Sequence, residues 1–179
     1  MYKQEQIKPY GETGTKREQV ERMFDNIAHS YDFLNHILSF GIDHIWRNNA
    51  IDFLLKNRNS TDSVLDIATG TGDFAILACK KLGAQNIVGC DISEGMMSIG
   101  RKKVEKLGLS EKITFQNEDC ASMSFPNNSF DAVISAFALR NFQNLDQCLK
   151  EMPRVLATNG HLSVVDLCPP VSFPMKQLF

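Results

Sequence analysis

Apolar residues recur at helical spacing through the first third of the chain and in short runs through the rest. Val20, Met23, Phe24 and Ile27 fall on one helix face, and Ile42, Ile45, Trp46, Ala50, Phe53 and Leu54 fall on another. Between them, Tyr31 to Gly41 reads as a short helix ended by its glycine. Residues 1–15 have no periodicity, with Gly11 and Gly14 flanking a polar run, so they are expected to be disordered or loosely docked.

From Ser63 onward, strands and helices alternate. Val64 to Ile67, Asn86 to Cys90, Ile113 to Gln116, Phe130 to Ser135 and Leu162 to Leu167 read as five short strands. Helices are expected over Phe74 to Leu82, after a capping Ser93 with Met96, Met97, Val104 and Leu107 facing a core, and over Leu145 to Leu156. Asn159-Gly160 should stop the last of these, and Pro153 should kink it. The rhythm predicts an α/β fold with a doubly wound, mostly parallel, Rossmann-like sheet and helices on both faces. It divides one domain into a loose N-terminus (1–15), a helical cap or lid (16–60) and an α/β body (61–179). Pro169, Pro170 and Pro174 oppose a further strand. The sheet is therefore expected to lack its last strands and to leave the fifth as an exposed edge, open to self-association.

Composition narrows the partners. A net charge of −2 over 179 residues gives no reason to expect a phosphate-rich partner, since a nucleic-acid binder usually shows a basic patch or stripe. No stretch nears the ~20 apolar residues of a membrane span, and the polar N-terminus lacks a signal core, so a cytoplasmic protein is expected. Five cysteines without a C-x-x-C pair and four histidines without ligand spacing point to reduced thiols and no metal.

The informative segment is Val64-Leu65-Asp66-Ile67-Ala68-Thr69-Gly70-Thr71-Gly72-Asp73. Gly70 and Gly72 permit a tight turn off the first strand and close approach of a ligand to backbone. Asp91 ends the second strand, where a carboxylate can accept from both hydroxyls of an adenosine ribose. Gly70-x-Gly72-x-x-Ala75 with Asp91 also fits a dinucleotide fingerprint. Asp66 separates the two cofactors: a carboxylate there repels a pyrophosphate but suits the ammonium of S-adenosylmethionine. Asp119-Cys120, after the third strand, is placed to read the adenine edge through its carboxylate and a backbone N–H.

Three segments extend the comparison. They are Tyr31-Asp32-x-Leu34-Asn35-x-x-Leu38-Ser39 followed by Trp46; Asp66 to Asp73 followed by Gly89 to Met96; and Phe125-Pro126-x-Asn128-x-Phe130-Asp131-Ala132, Phe137 to Asn141 and Glu151-Met152-x-Arg154-Val155-Leu156. In these the chain resembles the menaquinone/ubiquinone biosynthesis C-methyltransferases, and against them it is expected to be truncated at the C-terminus. Asp43, Ala138, Asn159 and Asp166 depart from the family's usual residues. The resemblance implies S-adenosyl-L-methionine as cofactor and methylation of a ring carbon of a polyprenylated quinol taken from the membrane surface. Demethylmenaquinol is the favoured substrate and a ubiquinone precursor the alternative; a cofactor-binding but inactive module is the other. It implies Arg140 and Asn141 at the quinol oxygens, and Tyr31, Asp32 and Asn35 on the lid. Cofactor residues would be Asp66, Gly70, Thr71, Gly72, Asp91, Asp119 and Cys120. Tyr31 and Trp46 suit core packing equally well.

Overall fold

The computed structural model describes residues 2–11, 13–38, 42–57 and 62–167. A 3-10 turn (Lys3–Gln6) precedes α1 (Lys16–Leu38) and α2 (Ile42–Asn57). Then follow β1 (Ser63–Ile67), α3 (Asp73–Leu82), β2 (Asn86–Asp91), α4 (Glu94–Lys106), β3 (Ile113–Asn117) and β4 (Phe130–Ala136). A 3-10 turn (Leu139–Asn141), α5 (Leu145–Val155) and β5 (Leu156–Val165) complete the described chain. The strands run parallel in the order β3-β2-β1-β4-β5, the doubly wound arrangement expected.

Strand alternation builds the two layers. Val64, Ile87, Ile113, Ala132 and Ile134 pack with α2, α3 and Val104 of α4 on one face. Leu65, Ile67, Val88, Cys90 and Val133 pack with Cys148, Met152 and Val155 of α5 on the other. β1 and β4 are covered on both sides and read as nearly continuous apolar runs. That arrangement puts the carboxyl ends of β1 and β4 at the point where strand order reverses, the place for a ligand in such sheets.

Four expectations need correction. α1 is one helix of 23 residues and not two, because no glycine or proline interrupts residues 16–38; Gly41 lies outside the described residues. α2 buries Asp43, Arg47, Ala50, Ile51 and Leu54, while Ile42, Ile45, Trp46 and Phe53 are exposed, so the inward face is rotated from the apolar stripe. Leu107 is exposed just past the end of α4, since that helix has already stopped facing the core. α5 ends at Val155, with Pro153 in its last turn, and Leu156 already pairs with Phe130 of β4. Asn159-Gly160 does not stop the helix. It belongs to an irregularity in β5, which opens because Phe130 lies opposite Leu156 and Ala132 opposite His161.

Packing where the β1–α3 turn meets β3 depends on one ring. Phe115 of β3 lies so near the start of α3 that a Cβ on Gly72 would come within 2.8 Å of it, at a φ of +81°. Left-handed backbone costs about 1–2 kcal/mol for a side chain, and overpacking a core typically adds about 1–3 kcal/mol. Gly72→Ala should therefore lower unfolding free energy by about 2 kcal/mol or more in denaturant titrations; an unchanged midpoint would show that this contact is not restrictive.

Candidate functional site

The loop from β1 to α3 is shaped by left-handed residues: Ala68, Gly70 and Gly72 have φ of 56°, 57° and 81°. Thr69 N–H donates to the Cys90 carbonyl (3.0 Å) and Gly72 N–H to the Thr69 carbonyl (2.9 Å), so the turn is tied to the end of β2. Gly70 N–H donates to Asp91 Oδ2 at 2.8 Å, and Ser93 N–H to Asp91 Oδ1 at 2.9 Å. Each Asp91 oxygen thus has a backbone donor, with the Ile92 amide as a third, and the carboxylate keeps acceptor capacity for a hydroxyl. Burial pushes the Asp91 carboxyl up, while the amides of Ser93 and Gly70 pull it back.

Asp66 is buried to 1% exposure at the end of β1. Its Oδ2 accepts from the Thr69 hydroxyl (2.6 Å) and the Ala75 N–H (3.1 Å) in the first turn of α3. Gly72, which precedes α3, has no side chain with which to cap it, and Asp66 supplies that acceptor from the neighbouring strand. The same carboxylate occupies a donor that a pyrophosphate would need, which argues against a dinucleotide. Desolvation raises the Asp66 carboxyl to about 7, opposed by Thr69, the Arg47 charge and the Ala75 amide.

Two cavities meet at this turn. The larger, about 240 Å³, is lined by Arg17, Phe24, Asp91, Asp119, Cys120 and Asn141 among others. The smaller, about 30 Å³, is lined by Arg47, Asp66, Thr69, Thr71 and Asp73 among others. Tyr31, Ala68, Gly70 and Ala136 border both.

The residues singled out in the sequence are distributed unevenly over this site. Gly70 and Asp91 border the larger cavity and Asp66 the smaller, where Thr71 accepts from Lys103 Nζ at 2.9 Å. Gly72 shapes the turn without bordering either cavity. Asp119 Oδ1 accepts from Ala121 N–H at 2.9 Å. Its Oδ2 lies 2.9 Å from Arg17 Nε, an ion pair whose angle falls short of a hydrogen bond. Cys120 is buried, and its thiol is raised by a hydrogen bond with Cys148 and by desolvation, so it stays neutral. Tyr31 packs edge-on against Phe24 at 5.8 Å. Arg140 is not on either cavity wall; its guanidinium pairs with Asp166 at 3.1 Å. The side chains of Asp32 and Asn35 lie outside the described residues.

Arg17 and Arg47 were not singled out. A signal for Arg47 exists: Asp43 and Arg47 stand four apart, in phase with the buried Ala50, Ile51 and Leu54. Arg17 carries no comparable signal, because its place opposite Asp119 arises only from the packing of α1.

Residues 12–179 match the sequence profile of the ubiE/COQ5 methyltransferase family. The chain belongs to that family. It is 58% identical over 178 residues to the demethylmenaquinone methyltransferase of Bacteroides fragilis, covering 99% of this chain and 72% of that protein. The Porphyromonas gingivalis protein of the same name is 47% identical, with coverage of 99% and 72%. A Geobacter sulfurreducens ubiquinone/menaquinone biosynthesis C-methyltransferase is 40% identical over 92% of this chain and 64% of that protein. Among solved structures, a SAM-dependent methyltransferase from Aquifex aeolicus superposes with a TM-score of 0.60 at 22% identity, covering 73% of this chain and 71% of that one. The [4+2]-cyclase SpnF superposes at 0.68 with 23% identity, covering 83% and 59%. That a cyclase shares the fold shows that architecture alone does not fix the reaction. Family membership places the chain among methyltransferases. Among the described residues, no helix is long and apolar enough to cross a membrane, and no cluster of three potential metal ligands occurs.

The raised Asp66 carboxyl has a consequence for stability. Its folded value of about 7 exceeds the ordinary 3.8, so the folded protein binds a proton that the unfolded chain releases. Its contribution is present below about pH 4 and is lost as pH rises through about 7. Asp66→Asn should flatten the loss of unfolding free energy between pH 5 and 7 by about 2 kcal/mol relative to the parent. Identical slopes in denaturant titrations would contradict the assignment.

Proposed function

We propose that the protein transfers a methyl group from S-adenosyl-L-methionine to a ring carbon of a polyprenylated quinol, converting demethylmenaquinol to menaquinol. The observation that carries this reading is the 58% identity, across 99% of the chain, with a demethylmenaquinone methyltransferase. Two features support the cofactor: Asp91 borders the larger cavity, and the buried carboxylate of Asp66 borders the smaller. When bound, S-adenosylmethionine supplies an electrophilic methyl group on a sulfonium.

Asp91 accepts from the ribose hydroxyls, Asp66 receives the ammonium, and the Asp119-Cys120 segment borders the adenine. Gly70, Thr71 and Gly72 keep the turn close to the ligand. Tyr31 and Asn141 border the larger cavity and orient the quinol. Arg140 stabilises the quinolate, which makes the ring carbon nucleophilic, and the ring proton is lost to a base afterwards. For this Arg140 exchanges Asp166 for the substrate anion. An ion pair whose arginine is 49% exposed is worth about 0–1 kcal/mol, so the exchange is cheap.

Residues 16–57 serve as a cap over this site. Asp25 of α1 accepts from the Ser93 hydroxyl (2.6 Å) and Gly95 N–H (2.9 Å), and Lys16 donates to the Arg140 carbonyl (2.7 Å). The quinol is taken from a membrane surface by a protein without a described span. Ile42, Ile45, Trp46 and Phe53 support this as an exposed apolar stripe on α2. Trp46 touches Phe137, at 6.0 Å between ring centres, on the cavity wall.

Methyl transfer to a short-chain demethylnaphthoquinol, compared with the corresponding benzoquinol, tests the substrate. Turnover of the naphthoquinol is expected; turnover of the benzoquinol alone would move the assignment to the ubiquinone branch, and S-adenosylhomocysteine binding without turnover would leave a binding module. Asp91→Ala should weaken S-adenosylhomocysteine by about 2 kcal/mol or more, since a charged acceptor is lost. Arg140→Ala should lower kcat and leave that affinity unchanged. A folded Asp91→Ala protein with parental affinity would remove Asp91 from the cofactor site, and an unchanged kcat would make Arg140 structural.

A further inference from the structure

Arg47 is an unusual residue to find inside a helix-to-sheet interface. It is 6% exposed, on the inward face of α2. Its Nη1 donates to Asp43 Oδ2 at 2.6 Å, and Asp43 is itself 4% exposed. The guanidinium carbon lies over the Phe137 ring, 5.1 Å from its centre. Nε is fully enclosed and has no hydrogen-bond partner. An enclosed donor without an acceptor is costly wherever it occurs, and here it belongs to a charge that borders the smaller cavity with Asp66, Thr69 and Gly70.

We infer that Arg47 binds the carboxylate at the amino-acid end of the cofactor, making with Asp66 a two-sided clamp for a zwitterion. The inference rests on S-adenosylmethionine being the cofactor. The two cavities share four bordering residues, so one ligand with a nucleoside body and a small charged tail can occupy both. The ribose acceptor Asp91 borders the larger cavity, which directs the tail to the smaller one. Its lining includes a buried carboxylate and a buried guanidinium, the charge pattern that an α-amino acid complements. The Arg47 charge also reaches Asp66, where it favours the ionised form. A purely structural Asp43–Arg47 pair accounts for Nη1 but leaves Nε unexplained. A carboxylate oxygen supplies the missing acceptor through a charge-assisted bond, for which the arginine fork is suited.

Calorimetric titration with S-adenosylhomocysteine and with 5′-methylthioadenosine, which lacks the amino-acid end, separates this role from a general effect on folding. Arg47→Gln is expected to weaken S-adenosylhomocysteine about tenfold or more and to leave methylthioadenosine within about twofold. Equal weakening of both ligands, or of neither, overturns the inference. If Arg47→Gln fails to fold because Asp43 is left buried and unpaired, the D43N/R47Q variant removes both charges and is read in the same way. The unmutated protein gives a check that needs no variant. The carboxyl amide of S-adenosylhomocysteine should bind about tenfold more weakly than the acid, and equal affinity would rule out a carboxylate contact. A parent protein that binds none of these nucleosides refutes the cofactor itself; a parent that binds S-adenosylhomocysteine without selectivity for its carboxylate refutes only the role of Arg47.

Discussion

A carboxylate enclosed at the end of β1 is the constraint on which this site depends. Asp66 takes the Ala75 amide that opens α3 and the hydroxyl of Thr69 within the turn, so strand, turn and helix converge on one oxygen. Burial makes its charge expensive and holds the carboxyl near neutrality. A cation arriving nearby, such as the ammonium of an amino acid, favours the ionised form. A phosphate arriving there would oppose it. On the proposed reading, the sign of this one enclosed group separates two cofactors with otherwise similar glycine turns.

The two N-terminal helices contribute the opposite sign. α1 and α2 bring Arg17 toward Asp119 and Arg47 toward the Asp66 side, so cations from the helical layer face anions from the strand ends. Backbone strain gathers in the same place. Ala68 and Phe137, neither of them glycine, hold φ of 56° and 61° at the ends of β1 and β4. Residues in left-handed backbone persist only where surrounding contacts over-determine them. For Phe137 these include the ring of Trp46, the guanidinium of Arg47 and a 2.7 Å bond from its N–H to the Val165 carbonyl.

Much of this was legible in the sequence, for reasons that differ from element to element. β1, β2 and β4 are covered on both faces, so their apolar runs stood out whatever their neighbours. Ser93 was legible as a cap because its hydroxyl does what its local pattern suggests, accepting from Met96 N–H. The glycine turn was legible because the left-handed backbone at positions 70 and 72 favours glycine. The orientation of α2 was not: its stripe of Ile42, Ile45, Trp46 and Phe53 is the more apolar one, yet a buried ion pair faces inward. Composition reports which face is greasy, and only the packing reports which face is enclosed. The α5–β5 junction was hidden for a related reason, since Leu156 has a helix-forming side chain and is claimed by the ladder to Phe130. The partners of Arg140 and Asp119, Asp166 and Arg17, come from distant segments with no sequence signal connecting them.

The central claim is that one nucleoside bridges the two cavities, with its sugar on Asp91 and its charged tail between Asp66 and Arg47. A crystal structure of the protein with S-adenosylhomocysteine measures this directly. The account predicts both ribose hydroxyls within hydrogen-bond distance of Asp91, the ammonium beside Asp66, and a carboxylate oxygen about 3 Å from Arg47 Nε. Density showing the amino-acid tail elsewhere, with Arg47 Nε still unpartnered, would contradict it.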